Sequence, residues 1–138
     1  MDACVLQLGA SVFRVVEYRV STGGDVEPVH LGNERVALGE CIEKTGRIGG
    51  RALLSAVAAA SRLVTRARAA GRNLHVVVVA SETIALAGNG DRFFAALKRH
   101  VGVTTRIVVP PGVLAPASEP ASLVASRKLP QVLPHLSS

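Results

Sequence analysis

The side chains that could carry out chemistry are few in this sequence and lie far apart. Ser11 follows Gly9 in a turn after an apolar segment, but the Gly-x-Ser-x-Gly pattern of an acyl-transfer nucleophile is absent. The four histidines have no carboxylate or cysteine at the spacing of a triad or a metal site: His30, His75, His100 and His135. Cys4 and Cys41 are too few for a disulfide framework, so we expect two reduced, mostly buried thiols.

Positive charge is a second feature that could bind a ligand. Sixteen Lys and Arg stand against ten Asp and Glu, a net charge of +6. One expected helix carries five arginines that could form a polyanion surface: Arg51, Arg62, Arg66, Arg68 and Arg72. With one Tyr, three Phe and no Trp, few side chains can stack on bases, so nucleic acid is the less favoured partner. A solvated helix face and a charge excess that maintains solubility are the alternatives.

Length and composition indicate one α/β domain. The 138 residues suffice for one core, and the hydrophobic 49% is mostly Val, Ala and Leu, which suits a sheet flanked by helices. The start of the chain lacks a basic region followed by an apolar stretch, and no apolar run reaches the length of a membrane span. We therefore expect a soluble cytoplasmic protein.

The first forty residues predict an antiparallel meander. Residues 4–8, 13–20 and 26–38 are extended segments separated by glycine-containing turns. The turn at residues 21–25 contains paired glycines, a strong hairpin signal. Pro28 or Gly32 is expected to mark a bulge or an edge in the long third strand.

Helices and strands then alternate. A surface helix is predicted from Arg51 to a C′ glycine at Gly71, with Leu54, Val57, Ser61 and Val64 on one face. Residues 74–80 are unbroken and rich in valine, which predicts a central parallel strand buried on both faces.

The second helix and the last strand follow. Asn89-Gly90-Asp91 offers capping oxygens for a helix that Gly102 ends, and residues 104–109 predict the last strand. The order is βββαβαβ, the layout of a ribonuclease H-like or actin-like half domain with a mixed five-stranded sheet. Residues 113–138 are rich in Pro, Ala and Ser, and we interpret them as a mobile or loosely docked tail.

Three segments in this order resemble motifs of the Ppx/GppA phosphatases, the exopolyphosphatases and guanosine pentaphosphate phosphohydrolases. Residues 6–14 are similar to the family's opening strand and phosphate loop. Residues 36–48, which end in Thr-Gly-Arg-Ile, are similar to the segment that leads into its first long helix. Residues 79–93 resemble its Ala-Thr-Ser-Ala-x-Arg-x-Ala-x-Asn-Gly motif. The resemblance covers about residues 3–109 and implies that residues 1–112 form the first lobe of such a protein.

The same resemblance implies an active site that has lost its acidic and basic groups. Family members hydrolyse a terminal phosphoanhydride, which requires phosphate donors, usually a divalent metal, and a carboxylate that activates water. The matching positions here hold Gln7 instead of a carboxylate, Ala85 instead of an arginine, and Pro110-Pro111 in the turn that carries the catalytic glutamate. No carboxylate near that turn lies closer along the chain than Glu119. We therefore predict no catalytic residues, no metal ligands and no cofactor, magnesium included.

What the resemblance leaves is a weakened phosphate cradle. Gly9, Ala10 and Ser11 correspond to the phosphate loop, where backbone amides and one hydroxyl can donate to an anion. Ser81 keeps a second hydroxyl nearby. These four residues are the predicted phosphate-binding set.

Three functions remain open at this stage. The first is a non-catalytic, single-lobe protein that acts as a homodimer, or docks a partner over the face of the missing lobe, with residual affinity for polyphosphate or guanosine polyphosphate. The second is a phosphoanhydride hydrolase completed by a second lobe from another chain. The third is a polyanion or nucleic-acid binder that uses the arginine-rich helix. No membrane partner is expected.

Overall fold

The computed structural model describes residues 3–69, 75–110 and 113–114, which build a single sheet with helices packed on it. The elements are β1 (Ala3–Leu8), β2 (Val12–Val20), β3 (Val26–Arg35), α1 (Leu38–Thr45), α2 (Gly50–Ala69), β4 (His75–Ser81), α3 (Glu82–Ala85), α4 (Gly90–His100) and β5 (Thr105–Val109). The sheet has the order β3-β2-β1-β4-β5, with β1–β2–β3 antiparallel and β1, β4 and β5 parallel. This confirms the α/β class and the mixed five-stranded sheet.

The third strand is shorter than predicted. It ends at Arg35, and Leu38 is the first residue of α1 rather than the last of a strand. The chain turns there because two backbone amides bond to the loop after β1: Val36 donates to Ser11 O over 2.9 Å and Gly39 donates to Ala10 O over 2.9 Å. Gly46, at φ +72°, ends α1 in the left-handed conformation.

The predicted turn and bulge signals are confirmed. Gly24 has φ +87° in the β2–β3 hairpin, and its amide donates to Ser21 O over 3.0 Å. The β2–β3 register shifts where Val15 pairs with Gly32 and Val16 with His30. One extra residue is therefore accommodated beside Gly32, on a strand that lies at the edge of the sheet.

The helix α2 forms as predicted but uses a different face. Val57 and Val64 are buried, whereas Leu54 is 71% exposed and the expectation that it faces the core is wrong. The buried stripe consists largely of small side chains: Ala56, Ala59, Ala60, Leu63 and Ala67. Alanines let the helix axis lie close to the sheet, so the helix turns its alanine side inward and leaves Leu54 in solvent. The predicted end at Gly71 lies outside the described residues.

Strand β4 lies between β1 and β5 and is buried on both faces, which confirms the prediction for it. On one face Val78 and Ala80 join the main core with Leu63 of α2 and Phe93 of α4. On the other face Val79 packs in a smaller cluster with Val5, Val16, Tyr18 and Val109. No helix among the described residues is long and apolar enough to cross a bilayer.

Both cysteines are free. Cys4 is fully buried in the main core, and burial raises the pKa of its thiol to about 12, with the nearby Glu17 carboxylate acting in the same direction. Cys41 is half-buried on α1. The expectation of mostly buried thiols therefore holds fully for Cys4 and in part for Cys41.

The glycines that begin α2 and α4 give a matched test of the packing. A Cβ on Gly90 would collide with the carbonyl oxygen of Ile84 and come within 3.0 Å of that of Ala85, whereas a Cβ on Gly50 meets nothing within 4 Å. We expect Gly90→Ala to lower the free energy of unfolding by about 1–3 kcal/mol. Gly50→Ala should change it by less than about 0.5 kcal/mol, or raise it. Urea denaturation of both variants checks this, and equal losses would contradict it.

Candidate functional site

The parallel strands bring the predicted site residues to one edge of the sheet. The strands β1, β4 and β5 end at Leu8, Ser81 and Val109, and their ends point the same way. We call this the carboxyl edge: residues 9–11, 81–86 and 110. Ligands of open α/β sheets bind in this position, outside the carboxyl ends of the strands. The structure thus places all four predicted phosphate-binding residues, Gly9, Ala10, Ser11 and Ser81, at the same edge.

The loop after β1 is held by its own backbone. The Gly9 amide donates to Val12 O over 3.1 Å, so this amide is already used inside the turn and is not directed at a ligand. A Cβ at Gly9 would lie 2.9 Å from the same oxygen, which explains why the turn needs glycine. Ser11 is exposed, and its hydroxyl lies 3.9 Å from the point where Gly39 of α1 would carry a Cβ. Ser11 is the loop's accessible polar side chain.

The hydroxyl of Ser81 has a structural role that the sequence analysis did not predict. Ser81 is buried and is the N-cap of α3, where its Oγ accepts a hydrogen bond from the Thr83 amide over 3.3 Å. Such caps stabilise a helix start by satisfying an otherwise unpaired amide. The hydroxyl proton is left to donate to a further acceptor.

The positions that would hold catalytic groups also gather at the carboxyl edge. Gln7 is half-buried one residue before β1 ends, and pairs across the sheet with Arg14 and Val79. Ala85 ends α3, and Pro110 is the exposed residue after β5. An amide, a methyl group and a pyrrolidine ring carry no charge and no titratable proton near neutral pH. Pro111, Gly112 and Glu119 lie outside the described residues.

One carboxylate at this edge was missed by the sequence analysis. Glu82 begins α3 directly after Ser81, is half-buried, and belongs to an element that contacts both β4 and β5. Glu119, the carboxylate nearest along the chain to the turn after β5, lies outside the described residues, so Glu82 is a carboxylate that the fold adds to this edge. The signal was present in the sequence, since Ser-Glu after a buried strand is typical of a capped helix start with an acid in its first turn.

These residues do not fit a magnesium site. Magnesium prefers carboxylate oxygens, and the position next to the loop holds the neutral amide of Gln7. Within residues 3–69, 75–110 and 113–114, no three His, Cys, Asp or Glu side chains are grouped closely enough to hold a metal ion.

The turn at Thr45-Gly46-Arg47 packs against the turn at Asn89-Gly90. The Asn89 side chain accepts a hydrogen bond from the Ile48 amide over 2.7 Å and donates one to Ile48 O over 2.8 Å. The Gly88 amide donates to Gly46 O over 2.8 Å. Asn89 makes no side-chain cap on α4, so that prediction is wrong. Its side-chain amide pairs instead with the buried backbone of Ile48. This contact fixes residues 36–48 and residues 79–93 relative to each other.

The arginine-rich helix is partly occupied by contacts within the chain. Arg62 forms a bidentate ion pair with Glu34 of β3, with Nε 2.8 Å from Oε2 and Nη2 2.6 Å from Oε1. This hydrogen bond lowers the pKa of Glu34. Arg66 lies over Gly32, where its side chain leaves no room for a Cβ. Two of the five arginines therefore hold α2 against β3, while Arg72 lies outside the described residues.

The histidines are not brought together. His30, His75 and His100 are exposed on β3, β4 and α4, and His135 lies outside the described residues. The pKa of His30 is lowered, first by burial and then by the charge of Arg14. His30 contacts Asn33, with Nε2 3.3 Å from Nδ2. Nothing in this arrangement resembles a triad.

With this geometry, the chain is similar to part of several solved structures of Ppx/GppA phosphatases and exopolyphosphatases. A Ppx/GppA phosphatase of Aquifex aeolicus superposes with a TM-score of 0.70 at 20% identity, covering 80% of this chain and 36% of that one. An exopolyphosphatase of Cytophaga hutchinsonii superposes with a TM-score of 0.62 at 15% identity, covering 82% of this chain and 35% of that one. An exopolyphosphatase-like protein superposes with a TM-score of 0.64 at 22% identity, covering 79% of this chain and 32% of that one.

The comparisons confirm the resemblance at the level of the fold. The chain spans about a third of the length of the solved chains it matches, as a single lobe would. No protein-family model and no curated protein matches the sequence. The chain thus shares the α/β fold, with its mixed five-stranded sheet, of about a third of these proteins, consistent with a single lobe.

The docked turns give a prediction on Asn89. Ile48 is only 3% exposed, so in Asn89→Ala its backbone amide and carbonyl would lose partners that water cannot easily replace. We expect the free energy of unfolding to fall by about 1–3 kcal/mol. The control Asn33→Ala removes an exposed contact and should cost less than about 0.5 kcal/mol. Thermal or urea unfolding measures both, and an Asn89 variant as stable as the control would refute the role.

Proposed function

We propose that this chain is a non-catalytic, Ppx/GppA-like single-lobe protein that acts by association with a second copy or a partner, and keeps weak affinity for phosphate groups. The observation that supports this most is the composition of the carboxyl edge. Ala85 and Pro110 belong to this edge and Gln7 lies one residue before the end of β1, at the positions where the resemblance implies an arginine, a glutamate and an acid. Removing a water-activating base costs roughly 10²–10⁴ in rate, and loss of the phosphate clamp adds to this.

Residual anion affinity is assigned to the loop after β1. Ser11 presents an exposed hydroxyl beside the start of α1, and helix α1 has no side-chain cap on its first amides. Helix starts and turn amides favour phosphate oxygens. The ligands in question are the phosphates of a polyphosphate chain or of a guanosine polyphosphate. With the Gly9 amide used in the turn, such binding is weak.

The association surface is assigned to the β5 side of the carboxyl edge. Leu86 follows α3 directly and is 75% exposed, and Val108 on β5 is 46% exposed. The helix α3 contacts β5, so both apolar side chains lie on the same side of the molecule. In the described part of the chain β5 pairs with β4 alone, which leaves a strand edge available to another chain.

A matched pair of leucines tests the association surface. Leu86→Gln removes an exposed apolar side chain from the proposed surface, whereas Leu54→Gln removes one of similar exposure, 71%, from the outward face of α2. We expect Leu86→Gln to weaken self-association, or capture by the partner, at least about tenfold, since burying a leucine contributes roughly 1.5–3 kcal/mol. Size-exclusion chromatography with light scattering over a concentration series measures this. A wild-type monomer that binds no partner, or equal effects of the two variants, would contradict the proposal.

A phosphoanhydride hydrolase completed by another chain is the second candidate, and Glu82 favours it. This half-buried carboxylate lies at the carboxyl edge beside Ser81, within reach of a substrate held between two lobes. The hypothesis predicts phosphate release from polyphosphate only when a chain with the second lobe is added. Glu82→Gln should then lower the rate at least about 10²-fold. The control Glu43→Gln, on the exposed side of α1, should leave it unchanged, and a mixture that stays inactive excludes this candidate.

A further inference from the structure

The charges are distributed unequally between the two ends of the sheet. Since α2 leads into β4 and α4 leads into β5, the last turns of both helices lie at the end opposite the carboxyl edge. We call this the amino edge: the last turns of α2 and α4 and the first residue of β4. The two helices contact each other, so their ends are neighbours.

Exposed cations concentrate at the amino edge. Its described basic side chains are all exposed: Arg66 and Arg68 of α2, His75 of β4, and Lys98, Arg99 and His100 of α4. From Gly50 to Pro110, the chain has acidic residues only at Glu82 and Asp91. Both of these belong to the carboxyl-edge side, as the first residue of α3 and the first turn of α4. The acidic residues of the β2–β3 hairpin lie on the opposite side of β1 from β4 and β5.

This concentration exceeds what the helix dipoles require. One or two cations in a last turn stabilise the carbonyl end of a helix. Here α4 ends in three consecutive basic residues, and His75 stands on a strand, where no helix dipole acts. In the described part of the chain, the last turns of α2 and α4 thus carry basic side chains and no carboxylate, a charge pattern typical of a polyanion site.

The chemistry of the surface selects the kind of polyanion. All four aromatic residues of the chain are described, and none is exposed: Phe13, Tyr18 and Phe93 are buried and Phe94 is half-buried. Single strands bind largely by stacking bases on aromatic side chains, which this surface cannot offer. The cations also stand on rigid helix and strand ends, so they suit a rigid ligand, which loses less conformational entropy on binding than a flexible chain does.

We propose that the amino edge binds the phosphate backbone of a nucleic-acid duplex without reading its sequence. The phosphates would be contacted by Arg68, Lys98 and Arg99, and binding would follow the release of counterions. This site lies on α2 and α4, whereas the phosphate loop follows β1 and the association surface uses α3 and β5. It therefore stands or falls independently of the function proposed above.

The test compares two triple variants with the same charge change. Arg68→Gln/Lys98→Gln/Arg99→Gln removes three cations from the amino edge, while Lys44→Gln/Arg51→Gln/Arg92→Gln removes three exposed cations from elements nearer the carboxyl edge. Fluorescence anisotropy with a labelled duplex of about 20 base pairs measures affinity from about 50 to about 200 mM salt. Light scattering and melting curves check that both variants keep the wild-type fold and oligomeric state.

The amino-edge variant should lose at least about tenfold in affinity, and its salt slope should fall by about 0.9 for each contact removed. The control variant should stay within about threefold of the wild type. The proposal is overturned if the wild type does not bind the duplex at low salt, or if both variants lose affinity equally. It is also overturned if a single strand of the same length or inorganic polyphosphate binds more tightly than the duplex.

Discussion

The parallel pairing of β1 with β4 is the constraint on which the rest of the structure depends. It runs without a shift from Ala3 opposite His75 to Leu8 opposite Ala80, at the centre of the sheet. Because the two strands end together, the loop at residues 9–11 and the cap at Ser81 reach the same edge. A shift by one residue would turn each buried side chain of β4 to the opposite face, so the two apolar clusters hold the register in place.

This arrangement separates the residues that build the lobe from those that would act on phosphate. The glycine in the loop after β1, the left-handed Gly46 and the Asn89 side chain are each required by a specific contact or dihedral angle of the fold. None of these requirements involves Gln7, Ala85 or Pro110. The fold therefore tolerates neutral residues at these three positions, where a hydrolase needs charge. A scaffold can persist after its chemistry is lost because the two depend on different atoms.

Much of this could be predicted from local patterns. The glycine pair at 23–24, the β-branched run of β4 and the terminator Gly102, which has φ +82°, depend on backbone preferences that act within a few residues. The errors arose where contacts between residues far apart in the sequence determine the local structure. The helix α1 forms where carbonyl oxygens of the loop after β1 accept hydrogen bonds from the amides of Val36 and Gly39. Leu54 faces solvent because alanines fit closer to the sheet, and Asn89 bonds to Ile48, 41 positions away, rather than to its own helix.

The shared location of the candidate residues follows from the predicted fold, but their contacts do not. The resemblance singled out Gly9, Ser11 and Ser81, and the parallel strands bring them to one edge of the sheet. The use of the Gly9 amide inside its turn, the capping role of Ser81 and the nearness of Glu82 to β5 depend on the folded chain. The distribution of charge was also predicted only in part. The sequence indicated one basic helix, whereas in the fold Arg62 pairs with Glu34 and other cations lie at the amino edge.

The central claim is that this lobe alone does not hydrolyse phosphoanhydrides. Phosphate release by the purified chain, with long-chain polyphosphate or guanosine pentaphosphate and magnesium or manganese present, tests it most directly. The account predicts no release above the buffer control for either substrate. Turnover that is abolished by Ser11→Ala, in a variant as stable as the wild type, would contradict it.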